Sequence, residues 1–436
     1  MTTEKRSLRV FLLVATVLLW LSAGPALAKV NGITGTSFQL RTGTAHIQAS
    51  DGASLFIWGF ANGAGPVQYP GPTLIVNQGD VITVSLTNTL NVPVSIVFPG
   101  QEGVIAAGGV PGLITNEAPA GGGTVSYTFT AAGAGTYMYH SGTRPEVQID
   151  MGLVGAIIVR PVGFDINTNR IVYNHPDTWY DWEYLFLMTE MDNRLHELVE
   201  LGQLAAYDDT TWFPYYWFFN GRNAPDTMIA AFSPDLPHQP YDCMPRTHPG
   251  ERVLVRIVSA GRKMHPLHLH GNSAFVVGKD GRLVARTPAT GPDLATLFFT
   301  VPAFPGETYD TLWDPWTGKE LGWDIYGDPA ANGHTCTPDS SGHDPVTSEW
   351  CADHGVPVPV VLPHENDLTY GAWYSGSPHL GEMGALPPGN PGFNVFGGIS
   401  YMWHSHDEKE LTTNDIFPGG MFTMMMVEPH GVSIDR

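Results

Sequence analysis

Glycine and proline interrupt this chain so often, 50 and 36 times in 436 residues, that only short extended runs fit between the breaks. The runs are rich in Val, Ile, Thr, Phe and Tyr, as in Thr73–Val76, Val81–Leu86, Thr124–Phe129, Gly155–Arg160 and Arg252–Val258. Such side chains suit the pleated, half-buried surface of a strand, so the chain reads as all-β. Helical periodicity is clearest in Asn193–Ala206, where Leu195, Leu198, Leu201 and Leu204 predict a short surface helix. The aromatic run Trp212–Phe219 reads as a core strand ahead of an Asn220-Gly221 turn. Phe422–Val427, with Met424, Met425 and Met426, reads with Met421 as a buried closing strand and not as a soft-metal site.

Two segments begin alike: Asn77-Gln-Gly-Asp80 and His248-Pro-Gly-Glu-Arg252 each precede a β run, followed later by a histidine-bearing strand and an apolar closing strand. The repetition predicts two stacked Greek-key β-sandwich domains, over 29–161 and 162–436. The second is too long for a simple sandwich, and the surplus falls in a Gly/Pro/Asp/His-rich stretch at about 315–397, read as a long inserted loop. Residues 1–28 read as a signal peptide, with Lys5, Arg6 and Arg9 ahead of the apolar stretch Val10–Leu21 and a small-residue site at Ala26-Leu27-Ala28. Export to a periplasmic or extracellular space is the expectation, with no later segment long and apolar enough to span a membrane. In an oxidising compartment, Cys336 and Cys351 would close a disulfide, leaving Cys243 as a buried or free thiol. A net charge of −21 repels nucleic acid and anionic membrane, so neither is expected as a partner.

The chemistry-bearing residues are histidines. Alternate residues of a strand point to one face, so His268 and His270 project together from His265-Pro-Leu-His-Leu-His270, and His404 and His406 do so from Trp403-His-Ser-His406. Two such strands side by side present four imidazoles to one cavity, a donor set suited to copper or zinc.

Tyr69-Pro-Gly-Pro-Thr73, Asn77-Gln-Gly-Asp80, Gly135-Thr-Tyr-Met-Tyr-His140, His265-Pro-Leu-His-Leu-His-Gly271 and Trp403-His-Ser-His406 with Gly420-Met421 follow one another in this order. Together they resemble the multicopper oxidase family of cupredoxin domains, in its two-domain, laccase-like branch. The resemblance spans nearly the whole chain between the signal and the C-terminus apart from the insert. It implies that His265 is a blue copper ligand and His268 a type 2 ligand. It further implies that His270 and His404 serve one type 3 copper and that His406 and His140 serve the other. A homotrimer, with the cluster formed between subunits, is implied in the same way.

The departures from that pattern are as informative. Ser405 stands where the blue copper cysteine belongs and Glu410 where its second histidine belongs. Val97 and Pro99 stand at one first-domain His-x-His, and the next is reduced to His140-Ser141-Gly142. A serine hydroxyl binds copper poorly and offers no low-energy sulfur path for electrons. What remains is a remodelled site of His268, His270, His404 and His406, joined by His140 and a carboxylate such as Asp407 or Glu410, for one copper or zinc ion. Three functions stay open: a structural or partner-binding cupredoxin assembly that uses the 315–397 insert as a surface, a copper-dependent oxidoreductase of altered design, and an extracytoplasmic copper-handling protein. Laccase-type turnover is not expected.

Overall fold

In Val81–Asn88, Ile82, Val84 and Leu86 are buried while Thr83, Ser85 and Thr87 turn outward, the period-two pattern of a strand with one face on a core. The outward hydroxyls pair across to the next strand, Ser85 with Ser126 at 3.0 Å and Thr83 with Thr128 at 3.3 Å. Strands of this kind build the molecule throughout. The structure, a computed structural model, describes residues 30–248, 251–270, 272–313, 337–340, 342, 399–428 and 433–434. The signal expected at 1–28, Cys336, Cys351 and nearly all of the 315–397 stretch lie outside the described residues.

The first sandwich faces a five-stranded sheet, ordered Ser54–Asn62, Ser37–Gln48, Val81–Asn88, Gly123–Thr130 and Ile105–Gly108, with a four-stranded one. The latter runs Ile33–Thr34, Leu74–Asn77, Val154–Arg160 and Gly135–His140. The second sandwich has a larger sheet with the path Tyr216–Phe219, Trp182–Met191, Val253–Ser259, Thr308–Trp313, Ala274–Lys279 and Arg282–Leu283. Its partner sheet runs Arg246–Thr247, Phe422–Val427, Ile399–Ser405, His265–Leu269 and Thr300–Ala303. This is the all-β, cupredoxin-like arrangement of two β-sandwiches expected from the sequence.

Val154–Arg160 and Val253–Ser259 are buried at every position. The reason is a second covered face: Ile157 and Val159 sit in the first core, while Val154, Ala156 and Ile158 pack with Leu185, Leu187 and Val258 of the second sandwich. A strand covered on both sides reads in sequence as an unbroken apolar run.

Local signals also hold, with one adjustment. Asn220 and Gly221 both take positive φ, 50° and 79°, as a two-residue hairpin turn of matching twist requires. The α-helix covers only Asn193–Glu200, with the Asp192 side chain accepting from the Arg194 N–H at its start. It is shorter than expected because Gly202, at φ 70°, turns the chain before Leu204. Its inner side buries Leu195 and His196, so it is not wholly a surface element. Phe422–Val427 pairs with Ile399–Ser405 and buries Met425 and Met426. Cys243 is a free, buried thiol whose pKa is pushed well up by burial.

The two sandwiches are stitched by a buried ionic network. Arg160, at the end of the first domain, donates to Glu183, with one bond of 2.8 Å, and Arg256 reaches Glu183 at 3.4 Å and Asp310 at 2.9 Å. Thr136 of the first domain donates to Asp310 at 2.5 Å, and Tyr173 donates to it at 2.7 Å. Burial raises the pKa of Glu183, but Arg160 and Arg256 outweigh it and hold the carboxyl at about 2. Removing one partner leaves buried charge uncompensated. Glu183→Ala is therefore expected to cost about 3–5 kcal/mol in chemical denaturation; a cost near zero would show that the network does not tie the domains together.

Candidate metal centre

The strand His265–Leu269 pairs antiparallel with Ile399–Ser405, with His268 opposite His404 and Leu267 opposite Ser405. Leu267, Leu269, Trp403 and Ser405 therefore turn into the core, and His268, His270, His404 and His406 share the other face. Nε2 of His270 lies 2.8 Å from Nε2 of His404. Ligand atoms of His268, His270 and His404 all fall within 4.8 Å of one another, a group able to hold a metal ion. The His406 ring stands beside them, 5.2 Å from His268 and 5.5 Å from His404 between centroids, with its side chain half exposed.

Backbone carbonyls set the tautomers. Nδ1–H of His404 donates to the Ser405 carbonyl at 2.6 Å, and Nδ1–H of His268 donates to Phe299 at 2.9 Å, which leaves both Nε2 atoms as lone pairs. His270 Nε2–H then donates to His404, and its buried Nδ1 is left with no partner among the described residues. Burial lowers the pKa of all three rings, and the neighbouring imidazoles add to this at His270, bringing it to about 4. At neutral pH these rings are uncharged, the state in which imidazole binds a metal.

Three groups named by the sequence do not join this face. His265 is fully buried on the core side, where Nδ1–H donates to Glu410 at 2.9 Å and Nε2–H to Glu190 at 3.0 Å. Burial alone would lower its pKa, yet hydrogen bonds and charge from the two carboxylates raise it to about 10. An imidazolium with both N–H groups engaged has no lone pair for a metal, so the structure sets His265 apart from the other candidates. Glu410 is likewise turned inward, accepting from the Ser405 hydroxyl as well. Asp407 is used as a cap, accepting from the Lys409 N–H at 3.1 Å.

His140 stands on the first domain, bonded backbone to backbone with Val97 at 2.9 and 3.2 Å. Its Nδ1–H donates to the Ser141 carbonyl at 2.9 Å, the same tautomer lock, and burial lowers its pKa, but it is not part of the histidine group. A Cβ on Gly142 would meet Val97 Cγ1 at 2.6 Å, so Val97 fills the room a side chain at 142 would need.

Glu190 was not picked out from the sequence. The signal was a carboxylate inside Trp182–Met191, a strand buried almost throughout that carries two glutamates, Glu183 and Glu190. Its Oε1 accepts from the backbone N–H groups of Arg262 and Lys263, and a Cβ on Gly261 would sit 1.8 Å from Oε2. Glycine at 261 is what lets the carboxylate reach His265.

Residues 57–163 and 220–299 each match a domain family described as multicopper oxidase. The chain thus carries two multicopper oxidase domains. Among its relatives is the copper-containing nitrite reductase of Pseudomonas chlororaphis, 28% identical over 48% of this chain and 55% of that protein. The L-ascorbate oxidase of Cucumis sativus is 39% identical over 38% of this chain and 26% of its own length. Multicopper oxidase MCE of Talaromyces pinophilus is 38% identical over 23% and 16%. The chain thus spans between 16% and 55% of these relatives' lengths. In fold it is similar to the blue copper oxidase from Nitrosomonas europaea, with a TM-score of 0.55, 18% identity, and 92% and 87% of the two chains covered.

The family is one of copper-binding proteins, and the two faces of the histidine sheet fit copper differently. The neutral imidazoles of His268, His270 and His404, with one orphaned ring nitrogen, fit a borderline ion such as copper. His265, Ser405 and Glu410 converge on the core side, but their donor set is a protonated ring, a hydroxyl and a carboxylate, with no thiolate. That set does not fit blue copper.

The opposed shifts predict a two-sided pH profile for the metal-free protein. His265, raised from 6.5 to about 10, contributes stability that is full below 6.5 and lost as pH rises through 10. His268, His270 and His404 are lowered, so stability falls as pH drops below 6.5 towards the value of about 4 at His270. Melting temperature measured against pH should therefore peak near neutrality, and His265→Gln should flatten the alkaline limb; an unchanged limb would contradict the pairing.

Proposed function

We propose that this chain is an exported multicopper-oxidase-like protein without a blue copper centre or a complete trinuclear cluster. In this reading it serves as a structural or partner-binding cupredoxin assembly that holds one copper or zinc ion at His268, His270 and His404, with His406 beside them. The observation that carries it is the contrast between the two faces of one strand pair. On one face, neutral ring nitrogens converge within 4.8 Å; on the other, His265 is held by Glu190 and Glu410. An ion at the first face would supply a cross-link between two strands and Lewis acidity toward a bound ligand. His268 and His404, already locked by carbonyl acceptors, would orient it.

Export is supported by the N-terminal pattern of charge, apolar stretch and small residues. No helix among the described residues is long and apolar enough to cross a membrane. The assembly we propose is a homotrimer, which would bring His140 of one subunit toward the exposed His406 side of another. The net charge of −21 gives nucleic acid no place in this reading.

Elemental analysis after loading with copper or zinc is the test. One ion per chain is expected, and the double variant His270→Ala/His404→Ala should bind none; full occupancy in that variant would place the metal elsewhere. Ser405→Cys alone should stay colourless with copper, because Glu190 and Glu410 still hold His265. A blue wild-type preparation that reduces dioxygen would refute the reading.

A further inference from the structure

Directly behind the histidine face, the same two strands are joined a second time, on the core side. His265 belongs to the strand that carries His268, and Ser405 lies between His404 and His406 on the other. One oxygen of Glu410, Oε2, accepts from both: from Nδ1–H of His265 at 2.9 Å and from the Ser405 hydroxyl. All three side chains are buried to 1% exposure or less. His265 is in turn anchored through Nε2–H to Glu190 on the facing sheet. Glu410 itself sits in the 3-10 turn Glu408–Leu411 that follows the second strand, fixed by the Asp407 cap and by Met421 N–H donating to the Glu410 carbonyl at 2.8 Å.

We propose that Glu410 is a positioning residue for the histidine site, acting through Ser405 and His265 to hold the two ligand-bearing strands at a fixed offset before any metal arrives. The proposal rests on the metal-site reading for its purpose, though the clamp itself can be tested without metal. Its logic is geometric. The hydrogen bonds flanking the site, His270 N–H to Met402 at 3.0 Å and His406 N–H to Pro266 at 2.7 Å, lie at the two ends of the short pairing between the strands. Only three residue pairs are in register there, Leu267 with Ser405, His268 with His404 and Leu269 with Trp403. A slip of one residue would send His404 and His406 into the core and Ser405 to the metal face. A carboxylate oxygen shared by residues of both strands resists that slip from the side opposite the ligands. Supporting hydrogen bonds of this kind are what keep a metal site's geometry from loosening.

The experiment compares wild type, Ser405→Ala, Glu410→Ala and Arg246→Ala. The last removes the buried-end ion pair with Glu428 in the same sheet and controls for general destabilisation. Copper affinity by competition titration should fall about 10- to 100-fold in Glu410→Ala, fall less in Ser405→Ala, and hold in Arg246→Ala although its melting temperature drops. The electron paramagnetic resonance spectrum of bound Cu(II) should change in the first two variants only. In metal-free protein, amide exchange at His270 and His406 should accelerate in Glu410→Ala beyond that in Arg246→Ala. Unchanged affinity, spectrum and exchange in Glu410→Ala, or equal losses in Arg246→Ala, would overturn the proposal. A wild type that takes up no metal would defeat the metal-site reading alone, and the exchange comparison would then decide the clamp.

Discussion

Antiparallel pairing of His265–Leu269 with Ile399–Ser405 is the contact on which the rest of the site depends. These strands are far apart in sequence, and with the side-chain period fixed at two, their register decides at once which residues meet on each face. His268 opposite His404 places four imidazoles on one side. The same register places Leu267, Leu269, Trp403 and Ser405 on the other, inside the core shared by the two sheets of the second sandwich. Nothing about either face can change without the other.

Two ways of managing charge separate the faces. The rings of His268, His270 and His404 are kept neutral by burial and by neighbouring imidazoles, with backbone carbonyls rather than carboxylates taking the Nδ1 protons of His268 and His404. The inner ring is kept charged by two carboxylates, one of them reachable only because residue 261 is glycine. Neutral rings suit a metal that brings its own positive charge, whereas a ring carrying a proton already supplies the cation its pocket needs. The same logic operates between the domains, where Arg160 and Arg256 flank Glu183 in a region covered on both sides.

Much of this was legible in the sequence. Short β runs between glycines and prolines gave the fold class, and Gly155–Arg160 was read as a strand, although its cover on both faces emerged only from the packing of the two sandwiches. Paired histidines two residues apart predicted one shared face, since that inference needs only the pleat. What could not be read was anything that depends on facing elements. The family resemblance places His265 among the ligands; only the fold brings Glu190 to its far nitrogen. Glu410 was recognised as an intruder at a histidine position, but a carboxylate there could have turned toward the metal face or away from it. The choice was made by the Ser405 hydroxyl and the His265 N–H, both on the core side. The leucine spacing over Asn193–Ala206 overstated the helix because periodicity carries no account of a glycine able to take positive φ at 202.

In the first domain, Val97 and Gly142 share one volume. A Cβ at 142 would lie 2.6 Å from Val97 Cγ1, so any side chain introduced there requires the valine to shift. Redesign of this corner would therefore have to treat positions 97 and 142 as a single unit, exchanging both in one step.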